Sequence, residues 1–195
     1  MKHLLTLVLA AVVGAACQSA DSTPVASAQD EFWATLQTLC DSAYEGQVVE
    51  GSAADTAFAG KTLVMHVRHC SDEATHIAFN VGDDRSRTWV LTRTGQGLRL
   101  KHDHRHEDGS EDDVTQYGGD TQDEGTTTTQ EFRADAHTAE LIPAASTNIW
   151  TVEVTPGVYA YALRREGTDR RFRVEFDTTQ PVPAPAPSWG HEGTQ

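Results

Sequence analysis

The sequence predicts an all-β domain, an antiparallel meander curled into an up-and-down barrel or half-barrel behind one N-terminal helix, with an aligned β-sandwich as the alternative. Three observations carry this expectation. From Gln47 onward the apolar residues recur with period 2, and Gly, Asp and Asn punctuate the chain every eight to twelve residues. Apolar residues make up only 38% of the 195 and gather in short bursts, as suits strands that bury one face. Pro156–Gly157 and Gly95–Gln96 are two-residue breaks that leave room only for hairpins.

Taken in order, the chain opens with Lys2 and His3 before an apolar run of thirteen residues, 4–16. A spanning helix needs roughly 20, so the run reads as an export signal. Gly14-Ala15-Ala16-Cys17 then resembles a bacterial lipoprotein signal, although Gly14 stands where that family usually has Leu. The resemblance implies cleavage after residue 16, acylation of Cys17 and contact with a membrane through the lipid anchor alone. Gln18, where retention signals have Asp, implies the outer membrane of the cell envelope. The alternative is a cut after Ala28 that yields a soluble secreted protein. Residues 17–29 read as a flexible tether, 30–180 as the single domain and 181–195, rich in Pro and Ala, as a disordered tail with Trp189 exposed.

Within the domain, residues 30–44 read as the helix, with Asp30 as N-cap, Phe32, Leu36, Leu39 and Ala43 along one face, and Gly46 as the stop. Strands are expected at 47–50, 62–69, 75–81, 86–94, 98–105 and 127–133, and three more pair in a definite register. A Pro156–Gly157 turn sets Trp150 opposite Leu163, Val152 opposite Tyr161 and Val154 opposite Tyr159. The next hairpin sets Leu163 opposite Phe172, Tyr161 opposite Val174 and Tyr159 opposite Phe176, while Arg164 meets Arg171 on the outer face. About nine strands in consecutive hairpins, with an initial helix, resemble the lipocalin-type architecture in those two respects only. None of that family's short motifs is present.

Lipidation of Cys17 leaves Cys40 and Cys70 in an oxidising compartment, where a disulfide is the expected state and two separately buried thiols the alternative. Closing such a loop stabilises a fold by about 3–4 kcal/mol in the chain-entropy account.

Charge limits the function classes. Fifteen Lys and Arg against 29 Asp and Glu give a net charge of −14, which argues against nucleic acid as a partner. The candidate site lies in 98–106. Alternation puts Leu98, Leu100, His102, His104 and His106 on one face, and a two-residue turn at Gly95–Gln96 sets Leu91 opposite Leu100, Trp89 opposite His102, Arg87 opposite His104 and Arg85 opposite His106. His102 and His104, two apart on a strand, are the candidate ligands for zinc, but two guanidiniums beside them repel a cation. Arg85, Arg87, His102, His104 and His106 suit the head group of a small anionic ligand, with a purely structural network, the arginines pairing with internal acids such as Glu131 or Glu153, as the alternative, and in an anion site the histidines are expected to titrate near neutrality.

The acidic, glycine-rich stretch 107–125 reads as a solvated loop over the barrel mouth, with calcium as the functional alternative. Nothing in the chain assembles an acid, a base and a nucleophile, so the expectation is a non-enzymatic binding module with no cofactor. A zinc-dependent enzyme and a purely structural envelope component are the alternatives. Residues 83–89 and 101–109, with Tyr117-Gly-Gly-Asp-Thr121, resemble a group of secreted bacterial proteins of unknown function. That resemblance implies export and nothing about mechanism.

Overall fold

The computed structural model describes residues 26–53 and 55–192. The expected signal, Cys17 and most of the tether lie outside the described residues. Helix α1 (Ala28–Gln37) precedes β1 (Ala43–Glu50), β2 (Leu63–Cys70), β3 (Ala74–Val81), β4 (Asp84–Thr94), β5 (Gly97–His104), β6 (Tyr117–Asp120) and β7 (Thr129–Ala134). After the short helix α2 (Ala136–Leu141) come β8 (Asn148–Thr155), β9 (Val158–Arg165) and β10 (Arg171–Val182). The ten strands form one closed antiparallel barrel, each paired with its sequence neighbour and β1 paired with β10. The barrel is the expected architecture, and the sandwich is not what forms.

Closure depends on a close approach at Gly46, which pairs with Phe176. A Cβ on Gly46 would lie 2.4 Å from the Phe176 ring and 2.6 Å from the Glu175 carbonyl oxygen, so only glycine lets β1 and β10 meet there. Both expected hairpins hold residue for residue, the Arg164–Arg171 pair included. Arg164 is relieved by Glu131 at 2.9 Å and Glu166 at 3.5 Å. Inward rows from every wall then build a single core, with Met65, Val67, Ile77, Leu91, Leu100, Phe132, Val152, Tyr159, Val174 and Phe176 fully buried.

The helix differs from expectation at both ends. Ser27 is the N-cap, and Asp30 sits three residues inside, accepting back from the Ser27 amide and hydroxyl in a capping box. The helix stops at Gln37 because the chain beyond it joins the sheet. Asp41 takes φ +60, its N–H donates to Val67 O, and Tyr44 pairs with Met65 in β1. Cys40 and Cys70 form the expected disulfide, tying the turn after α1 to the end of β2.

Strand β6 and helix α2 were not expected. Tyr117-Gly-Gly-Asp is too short and too glycine-rich to show alternation, yet it threads between β5 and β7. A Cβ on Gly119 would be 1.6 Å from the Arg133 carbonyl oxygen, so the glycines permit the pairing. Elsewhere in 107–125 three of the acids bond to their own loop: Asp108 accepts from Ser110 N–H, Asp112 from Val114 N–H and Asp123 from Gly125 N–H. No group of three metal-ligating side chains is found among the described residues.

The Pro- and Ala-rich stretch is not a free tail over its described part. Strand β10 runs on to Val182, and the following residues lie against the outside of the barrel, with Ser188 buried and Trp189 half-buried. The chain keeps its extended form there because Asn80 and Arg85 supply donors to the carbonyls of Ala186 and Pro187.

Candidate functional site at the barrel mouth

The two barrel ends are finished differently. Helix α1 stoppers one end with Phe32, Trp33 and Leu36, and its polar residues meet the rim there: Gln37 donates to Thr75 at 2.7 Å, and Gln29 donates to Thr121 at 3.1 Å. At the other end the inward rows run out of apolar residues. On β4 and β5 the pairs are Leu91–Leu100, Trp89–His102 and Arg87–His104, as expected. On β8 and β9 they are Val152–Tyr161, Trp150–Leu163 and Asn148–Arg165. A cavity of about 270 Å³ opens between these walls. Its floor is aromatic: Phe79 stacks on Trp89 at 4.6 Å, Trp89 on Tyr161 at 4.4 Å, and Phe58 overhangs Phe172 at 4.9 Å.

His102 is the centre of a buried relay. Its Nδ1 lies 3.0 Å from the Tyr117 carbonyl oxygen, which can only accept, so Nδ1 carries the proton. Nε2 is then an acceptor, and the Tyr161 hydroxyl donates to it at 2.7 Å. The Tyr117 ring stacks on His102 at 4.4 Å, and its hydroxyl lies 3.1 Å from His104 Nε2. Both nitrogens of His102 are therefore engaged inside the protein.

The expectation that these imidazoles charge near neutrality is corrected by their burial. Burial pushes His102 down to about 3, against the hydrogen bond to Tyr117. His104 is pushed down to about 4, first by burial and then by the Arg87 guanidinium beside it. Burial likewise pushes the Tyr117 phenol up to about 12 and Tyr161 well above its ordinary value. At pH 7 the relay is neutral, and the charge of the mouth comes from arginine.

Three guanidiniums line the cavity: Arg87, Arg165 and Arg170. Arg87 pairs with Asp84 at 2.5 Å and lies over the Phe58 ring. Arg170 holds Asp55 with two bonds, 2.6 and 2.7 Å, which seats the turn Thr56–Phe58 over the mouth. Burial would raise the Asp55 carboxyl, but Arg170 and Ser52 outweigh it and hold it below its ordinary value. Arg165 Nε donates to Asn148 at 2.8 Å, and no carboxylate pairs with Arg165 among the described residues.

The structure thus brings Arg87, His102 and His104 together as the sequence suggested, but not Arg85 or His106. The β3–β4 register shifts between Phe79 and Val81, and this bulge turns Arg85 outward, where it donates to Pro187 O and lies over Trp189. Strand β5 ends at His104, and His106 is exposed in a turn closed through Ser110. Arg165, Asn148, Arg170, Tyr117 and Tyr161 were missed as site residues. Extending the Trp150–Leu163 register by one inward pair would have found Asn148 and Arg165. Tyr117 went unseen with its strand. Arg170 sits in the β9–β10 turn, which alternation does not reach.

No family model matches this chain, and no curated protein or solved structure matches it.

Proposed function

We propose that the barrel is a non-enzymatic binding module for a small anion, a carboxylate on a flat apolar body, carried by a lipoprotein of the cell envelope. The observation that carries the reading is Arg165, a guanidinium at the mouth with an amide partner and no acid among the described residues, in a chain of net charge −14. A planar guanidinium matches a carboxylate with two parallel bonds, and Arg87 and Arg170 flank it. The aromatic floor suits a ring, and about 270 Å³ lies just below the roughly 300 Å³ at which ligand pockets usually begin, so the ligand is small.

Because His102 and His104 stay neutral at the mouth, affinity is flat from about pH 8 to pH 5 and does not rise through 6.5. The leader and the Cys40–Cys70 disulfide support export, and Cys17→Ser should move the protein from the membrane to the soluble fraction.

A thermal-shift series with acetate, benzoate and inorganic phosphate at pH 6 and pH 8 tests the ligand class. The expected result is stabilisation by benzoate above the other two, equal at both pH values and lost in Arg165→Gln. Stoichiometric zinc lost on replacing His102 and His104 would replace this reading with the metal one. The packed interior below the mouth, filled by Trp89, Trp150, Tyr159 and Tyr161, favours a structural envelope component as the second reading. The absence of any shift in the whole series would select it.

A further inference from the structure

A second cluster of titratable groups lies on the outer wall, across the sheet from the mouth. His69 on β2 and His76 on β3 are cross-strand neighbours beside a bulge, with ring centroids 4.9 Å apart. His191 packs edge-on against His76 at 6.3 Å, and its Nε2 lies 2.9 Å from Oδ2 of Asp103 on β5, a carboxylate only 4% exposed. Arg105 Nε reaches both Asp103 oxygens at 3.1 Å, and Arg68 donates to the His191 carbonyl oxygen at 2.7 Å.

His191 ends a strap laid over this wall. Ala186 O accepts from Asn80 at 3.3 Å, Pro187 O accepts from Arg85 at 2.8 Å, and Trp189 N–H donates to Arg85 O at 3.1 Å. His76 therefore faces His69 and Arg68 from β2, Asp103 with its Arg105 from β5, and His191 and the adjoining Glu192 from the strap. His66 stands beyond Arg68, and the β4 residue opposite His76 is the uncharged Val90. No three of these side chains converge as ligands for one metal ion among the described residues, and Arg68 adds a fixed positive charge. The chemistry the cluster offers is protonation.

We propose that the cluster is an acid-operated latch, in which the strap 183–192 is held on the β2–β5 wall at neutral pH through His191 and Asp103, and is released when His76 beneath it gains a proton. Burial pushes His76 down to about 4, helped by His69, His191 and Arg68 and opposed by Asp103. The docked strap thus favours neutral His76. Docking is complete above the ordinary histidine value near 6.5 and weakens as pH falls from there toward about 4. Burial raises the Asp103 carboxyl, but His191 and Arg105 outweigh it and keep it ionised through that window.

Hydrogen–deuterium exchange on the full chain, corrected for intrinsic rates, tests the latch. Between pH 7.5 and pH 5.0 the protection of the Trp189 amide falls on the order of tenfold while the strand amides keep theirs. In His76→Gln that fall disappears. His191→Ala, a change in the strap itself whose strand-amide protection reports that the barrel has folded, leaves the Trp189 amide unprotected at both pH values. Protection in the wild type that ignores pH, an undiminished fall in His76→Gln, or a strap still protected in His191→Ala would each overturn the proposal.

Discussion

The two ends of this barrel are made by the same strands and finished by opposite chemistry. At the α1 end the inward rows meet Phe32 and Leu36, both 0% exposed, and the polar groups of the helix are matched by the rim: Asp30 takes Arg93, Gln37 takes Thr75 and Gln29 takes Thr121. At the mouth the rows end in Arg87, His104, Asn148 and Arg165, and a cavity remains. Apolar burial gains from every atom removed from water, whereas a buried cation without an acid partner is disfavoured unless something else neutralises it. The first end is therefore built for stability. The second keeps a charge that a ligand can answer.

Several changes sharpen or break that comparison. Phe32→Ala should destabilise by about 3–5 kcal/mol in a denaturant melt, since it removes a ring from the stoppered end. A loss under about 1 kcal/mol would show that α1 does not close the barrel. Replacing Cys40 and Cys70 together by Ser should destabilise by about 3–4 kcal/mol, again at the α1 end, measured against the oxidised protein.

The next effect belongs to the interior of the mouth. Tyr161→Phe removes the donor to His102 Nε2 and leaves a buried acceptor unpaired, at about 1–3 kcal/mol. Its neighbour Tyr159 has a buried hydroxyl with no partner among the described residues, so Tyr159→Phe should be neutral or stabilising by up to about 1 kcal/mol. Equal effects of the two changes would mean that the His102 relay contributes nothing. Smallest of all, Arg165→Gln should move stability by less than about 0.5 kcal/mol, because the residue is half-buried and has no acid partner among the described residues.

The sequence was most legible where side chains alternate. Leu98 to His104 and Trp150 to Phe176 announce their inward faces, and register then follows from the short turns, so the all-β meander, its hairpins and the Arg87–His104 pairing could be read from the sequence, while the choice of barrel over sandwich could not. What alternation cannot report is its own interruption. The β3–β4 bulge that turns Arg85 outward has no mark in the residues beside it, and the end of β5 is set by the Arg105–Glu111 bridge and the Ser110 turn rather than by His106. Tyr117-Gly-Gly-Asp is a strand because of how closely its glycines let β5 and β7 approach, a tertiary fact. The titration of His102 and His104 was misjudged for a related reason. A residue type suggests its ordinary pKa, but depth of burial decides the actual one.

The measurement that tests the difference between the two ends most directly is a titration of benzoate followed by residue-resolved NMR on the intact chain. The account predicts saturable shifts confined to the mouth, at Arg87, Tyr117, Asn148, Arg165 and Arg170, with Phe32, Trp33 and Leu36 unmoved and the whole response lost in Arg165→Gln. Shifts centred on α1, or a mouth that stays silent at millimolar benzoate, would contradict it.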